Sequence, residues 1–132
     1  MRDILFLMLF TFSFIGQTYS QERLKPGGVI PVMSWGGIAE GEVSVDSYKK
    51  MKDAGVNIDI AFFSNADAIA AALDAAGKAG IKLMISCPEL KSDPEKTANR
   101  FKNDPSLEGY YLADEPGRSQ FQEGAQWAKR LK

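Results

Sequence analysis

The run Glu108-Gly-Tyr-Tyr-Leu-Ala-Asp-Glu-Pro116 carries the most chemistry in this chain: an apolar, strand-like segment that ends in two adjacent carboxylates and a proline. Tyr-Tyr-Leu-Ala favours cover, whereas Asp114 and Glu115 need water or a partner, so the change between them marks the rim of a core. In parallel α/β folds that rim, at the C-terminal ends of the strands, is where active sites are built. The chain has 132 residues and no His. This excludes Ser-His-Asp triads, imidazole general bases and His-ligated metals. Acid and base work therefore falls to carboxylates, Lys or Tyr. The single Cys87 can form neither an internal disulfide nor a multi-thiolate cluster, and as a lone small hydrophobe it is expected to be buried. Sixteen Lys and Arg balance 17 Asp and Glu, for a net charge of -1, which gives no basic field for nucleic acid. No cofactor and no metal are expected.

These residues must be held by a scaffold, and the chain supplies one by repetition. Residues 1–20 read as a secretory signal peptide: Arg2 precedes an apolar run from Ile4 to Ile15, and small or polar residues follow at Thr18 and Ser20. That run is shorter than the ~20 apolar residues of a bilayer-spanning helix. The mature chain, 21–132, is therefore expected to be secreted or periplasmic, with no stable membrane span after cleavage. Strand-like runs follow at Val29–Trp35, Val56–Phe63, Ile81–Cys87 and Gly109–Ala113. Helical signals lie between them. Ser44 precedes Tyr48 and Met51, Asn65 precedes Ile69, Leu73 and Ala76, and Asp93-Pro94 pairs an N-cap with Pro at the first helical position. A fourth helix is expected to start near Ser119, with Gln122 as its capping-box partner. Gly55 and Gly80 each end a helix and lead directly into a strand.

Strand, helix and parallel strand make a right-handed crossover, and the strands are apolar runs suited to cover on both faces. Two architectures use this unit: the doubly wound open sheet and the eight-fold barrel. The turn Ser34-Trp35-Gly36-Gly37-Ile38 is neither a dinucleotide fingerprint nor a phosphate loop, which disfavours the nucleotide-binding sheet. The barrel gathers Trp35, Phe63-Ser64-Asn65, Cys87-Pro88-Glu89 and Asp114-Glu115-Pro116 at one mouth.

Read together, Ser34-Trp35-Gly36, Phe62-Phe63-Ser64-Asn65-Ala66-Asp67, Ile85-Ser86-Cys87-Pro88-Glu89-Leu90 and Tyr110–Gly117 resemble the first half of bacterial secreted glycoside-hydrolase-like (β/α)8 barrels. The resemblance covers about residues 28–132 and implies an α/β fold: a parallel (βα)4 half of a TIM-type barrel behind the signal peptide. In retaining members of that clan, strand four ends in Asn-Glu, often followed by Pro, and the Glu is the general acid/base. Glu115 matches that catalytic residue. Asp114 stands where Asn is usual, so its role in holding a sugar hydroxyl is the point of departure. The resemblance further implies hydrolysis of glycosidic bonds, with Trp35, Asn65, Glu89 and Asp114 as substrate-binding candidates. The second carboxylate of the reaction comes from strand seven in such barrels, and only four strands can be placed here.

Each candidate also has a plain structural reading. Asp-Glu-Pro can be a solvated strand-ending turn. Trp35 is either a stacking platform or a rim aromatic, Glu89 approaches the mouth or supplies a favourable charge at the N-terminus of the third helix, and Asn65 is foremost a helix cap. Three classes follow: a carbohydrate-active barrel that is inactive without its other half, a carbohydrate-binding or assembly protein, and a hard-cation site on Asp114, Glu115 and Glu89, which lacks enough ligands. Four strands leave two unpaired edges, so self-association or a missing C-terminal half barrel is expected.

Overall fold

A computed structural model of the chain describes Gly28 and residues 30–131, and the expected signal peptide lies outside the described residues. Four parallel strands, β1 (Met33–Trp35), β2 (Ile58–Phe62), β3 (Lys82–Ser86) and β4 (Leu107–Tyr110), form one sheet in the order β1-β2-β3-β4. The intervening helices are α1 (Val45–Asp53), α2 (Ala66–Ala79), α3 (Glu89–Ser92), α4 (Pro94–Phe101) and, after β4, α5 (Phe121–Arg130). A right-handed crossover that always steps the same way puts every helix on the same face, whereas a doubly wound sheet must reverse its strand order to cover the other. The described strands never reverse.

Local chemistry explains the helix boundaries. Ser44 Oγ accepts the Ser47 N–H at 3.1 Å, and Asn65 Oδ1 accepts from Asp67 and Ala68 at 2.9 and 3.0 Å. Asp93 caps α4 with Pro94 next in line. Gly80 ends α2 at φ 73°, a left-handed conformation that would strain a residue with a Cβ. The core follows from strand alternation. Ala61, Phe63, Leu83, Ile85 and Cys87 point to the helix side, where they meet Tyr48 of α1, Ile69 and Leu73 of α2, Leu90 of α3 and Phe101 of α4. Burying each of the large aliphatic side chains contributes roughly 1.5–3 kcal/mol. Cys87 is buried as expected, and burial pushes its thiol pKa up.

The structure corrects three expectations. Among the described residues, helices cover only one face of the sheet; on the other, Ile60 is buried but Met33, Trp35 and Phe62 are exposed. The fourth strand runs Leu107–Tyr110 rather than Gly109–Ala113. Its pairing with β3 is interrupted between Leu83 and Met84, the last ladder bond is Tyr111 N–H to Ile85 O at 2.8 Å, and Leu112 and Ala113 then leave the sheet, so hydrophobicity alone overextended the strand. Ser119 does not cap the last helix. It sits within a 3-10 turn, Arg118–Gln120, whose cap is Gln120 Oε1 accepting the Gly117 N–H at 2.9 Å.

Candidate functional site

Three aromatic rings meet on the uncovered face at the C-terminal ends of the strands. Trp35 lies edge-on to Phe62 (6.1 Å between centroids) and to Tyr111 (5.3 Å), and Phe62 to Tyr111 (5.5 Å), all at steep angles. Trp35 ends the first strand and Tyr111 follows the fourth, so their contact shows that the sheet curls toward this face. Trp35 and Phe62 remain 59% and 46% exposed, an apolar surface open to a ligand.

The Trp35 loop is fixed from beneath by Asp59, a fully buried carboxylate on β2. It accepts the Ser34 hydroxyl at 2.5 Å and the N–H groups of Gly37 and Ile38 at 3.2 and 3.3 Å. These bonds explain the glycines. Gly36 adopts φ 58°, and a Cβ on Gly37 would run into Asp59 Oδ1, Met51 Cε and Ser34 Oγ. A second tie joins this β1–α1 connection to the loop after β2: Glu40 accepts the Ser64 N–H at 2.6 Å and its hydroxyl at 2.8 Å.

Asp114 and Glu115 stand beside the rings, exposed in the bend after β4. The Tyr111 hydroxyl is pushed above its usual pKa, first by desolvation and then by the neighbouring Asp114 carboxylate, with a smaller effect from the charge of Glu115. Asp114 is thus the carboxylate that acts most on the Tyr111 hydroxyl of the aromatic cluster. Glu115 has φ 39°, in the left-handed region and immediately before Pro116. For a non-Gly residue that conformation costs on the order of 1–2 kcal/mol, and such strain concentrates at functional sites.

The other two candidates are engaged elsewhere. The Asn65 carbonyl oxygen caps α2 and its amide donates to Ser64 Oγ at 3.1 Å. Glu89 is the first residue of α3, and its Oε1 accepts the Ala66 N–H at the start of α2 at 3.2 Å. Its own backbone N–H and that of Ala66 hold its carboxyl below the usual range. The expected N-terminal charge is therefore shared between two helices. Among the described residues, no three His, Cys, Asp or Glu side chains gather to hold a metal ion.

A groove of about 960 Å³ lies between α3, the segment that follows β4, and α5, lined by Lys91, Tyr110, Tyr111, Leu112, Phe121 and Trp127 among others, so it adjoins the ring cluster at Tyr111. The Lys91 ammonium sits 5.4 Å over the Trp127 ring. Its lining is mostly apolar side chain, whereas the ring cluster combines aromatic faces with two free carboxylates, so the cluster is the better candidate for chemistry and the groove for packing.

Sequence reasoning placed Phe63 at the mouth, and the structure corrects this: Phe63 is in the core and Phe62 is exposed. Strand alternation counted from Trp35, which pairs with Ile60, would have shown it. Asp59, Gly37 and Tyr111 were missed as site residues. An acid in the middle of an apolar strand is a readable signal for a buried hydrogen-bonding post. Compared with family models, curated proteins and solved structures, the chain matches none.

Proposed function

We propose that the chain is a (βα)4 half of a TIM-type barrel from an exported carbohydrate-active protein, with a sugar seated on the Trp35, Phe62 and Tyr111 rings. The observation that carries this reading is the juxtaposition of exposed aromatic rings and two free carboxylates at the C-terminal end of a curled, sequentially ordered parallel sheet. Aromatic faces pack against the apolar C–H faces of pyranose rings, and carboxylates accept hydrogen bonds from the hydroxyls around them. Asp114, near Tyr111, takes the hydroxyl-binding role. Glu115 is the general acid, protonating a glycosidic oxygen that is otherwise a poor leaving group.

Hydrolysis needs a second carboxylate, about 5 Å away for retention or about 6.5–9.5 Å for inversion. Asp114 is the immediate neighbour of Glu115 in the same bend and is given the hydroxyl-binding role here, so the second carboxylate has to come from elsewhere, and the chain by itself is expected to bind sugar and turn over little. Glu115 is also exposed, whereas a general acid keeps its proton near neutral pH by burial. That exposure favours a second reading, a carbohydrate-binding protein without chemistry. Calorimetric titration of the exported chain with a panel of oligosaccharides tests the shared claim. Binding should be abolished by Trp35→Ala, weakened by Asp114→Ala and nearly unchanged by Glu115→Gln. If Trp35→Ala binds as well as the parent, the sugar does not sit on these rings.

A further inference from the structure

The connections that leave the C-terminal ends of the four strands carry charge of one sign. Residues 36–44, 63–65, 87–88 and 111–117 include Glu40, Glu42, Asp114 and Glu115 and no Lys or Arg. The nearest cations in the chain are Arg118, which begins the 3-10 turn, and Lys91, which lies over the Trp127 ring. Several acids at this end of the sheet are engaged in holding the fold: Asp59 ties the Trp35 loop, Glu40 accepts from Ser64, Asp67 pairs with Arg100 at 2.7 Å, and Glu89 accepts the Ala66 N–H. Asp114 and Glu115 differ. Both are exposed, and among the described residues neither forms an ion pair. Both act on the Tyr111 hydroxyl, so their charge is felt at the rings.

We propose that the ring cluster selects cationic saccharides, those built from unacetylated amino sugars, with the ammonium taken by Asp114 and Glu115 while the sugar ring rests on the aromatic side chains. The inference rests on the carbohydrate reading and adds the class of sugar to it. A neutral sugar offers Asp114 a hydroxyl. An ammonium in that place donates to the same carboxylate and also carries the opposite charge, and it is attracted to the exposed face of an indole such as Trp35. A surface lined by one sign of charge beside apolar walls strengthens such attraction. The same charges repel a uronate or a sulfated sugar. An exposed ion pair and an exposed cation–π contact each change affinity by roughly two- to fivefold, so the two together should favour the free amine by roughly tenfold.

Calorimetric titration of the chain, residues 21–132, with the trisaccharides of chitosan, chitin and cellulose tests this, because the three share one backbone and linkage and differ in the amine. In a mildly acidic buffer of low salt the carboxylates are ionised and the chitosan amine is charged. The chitosan trisaccharide should bind roughly tenfold tighter than the other two, and the preference should shrink several-fold as salt screens the charges. The double variant Asp114→Asn, Glu115→Gln changes two exposed side chains to isosteres and should bring the chitosan and chitin trisaccharides to about equal affinity. Equal binding of all three by the parent would overturn the proposal. So would an amine preference that survives the double variant or is indifferent to salt. If the chitin and cellulose trisaccharides bind through Trp35 as well as the chitosan one, the carbohydrate reading stands and charge selection alone fails; if none binds, both fail.

Discussion

Removing the Asp59 carboxylate should damage the chain more than any surface change near the rings. Asp59→Ala takes the acceptor from the Ser34 hydroxyl and from the Gly37 and Ile38 N–H groups, bonded at 2.5, 3.2 and 3.3 Å. A hydrogen bond to a charged group contributes roughly 1.5–3 kcal/mol net. Gly37 is exposed and Ile38 only half-buried, so water can replace much of those two bonds, and the Ser34 bond dominates. The expected loss is about 2–4 kcal/mol, a large part of the roughly 5–15 kcal/mol that holds a small domain together. Asp59→Asn keeps one acceptor but turns an NH2 toward backbone donors, and should cost about half as much, on the order of 1–2 kcal/mol. Urea unfolding followed by tryptophan fluorescence reads both. With a slope of about 1–3 kcal/mol per molar, Asp59→Ala should lower the midpoint by about 1 M or more. A midpoint within about 0.3 M of the parent would refute the claim that this carboxylate holds the Trp35 loop.

Tyr48→Phe should be neutral or stabilising by up to about 1 kcal/mol, because the Tyr48 hydroxyl is buried with no hydrogen-bond partner; thermal melts decide it. Burial, and after it the charge of Asp59, raises the pKa of that hydroxyl. The neutral form is thus favoured in the fold, and its contribution is complete below about pH 10 and lost as pH rises further. Alkaline unfolding should accordingly be less steep in Tyr48→Phe. Arg130 holds Glu95 through two 2.6 Å bonds and is the polar tether between α5 and α4. Arg130→Ala should speed hydrogen exchange in α5 and leave β2 and β3 protected; uniform protection would mean that apolar contact alone seats the helix. In any preparation that turns over glycosides, Glu115→Gln should impair hydrolysis of natural glycosides far more than of activated aryl glycosides, which leave without a proton. Equal activity on both would remove Glu115 from the mechanism.

Much of the local chemistry was legible in the sequence, with the Ser119 cap as the exception. The caps at Ser44, Asn65 and Asp93 and the joint at Gly80 depend on side chains within a turn of their targets, and all stand where the sequence places them. The end of β4 did not, because a strand stops where its partner's ladder stops, and that is a property of β3 rather than of Tyr-Tyr-Leu-Ala. The expectation of two covered faces failed for a related reason: apolar strands show that a face wants cover and say nothing about what provides it. Of the candidate site, Asp114 and Trp35 share one cluster through Tyr111, whereas Asn65 and Glu89 are taken up by helix ends. Asp59 escaped notice because its role depends on a loop from another strand, brought to it by the parallel register of Ser34 with Asp59.

The two tryptophans stand apart, Trp35 in the exposed ring cluster and Trp127 in the groove beneath α5, so their indole N–H signals separate the sites in a single spectrum. Titrating the nitrogen-15-labelled chain, residues 21–132, with the best oligosaccharide of the panel should shift the Trp35 indole signal saturably and leave that of Trp127 in place. A shift confined to Trp127, or no shift in either signal with any sugar of the panel, would contradict the assignment of the ring cluster as a carbohydrate site.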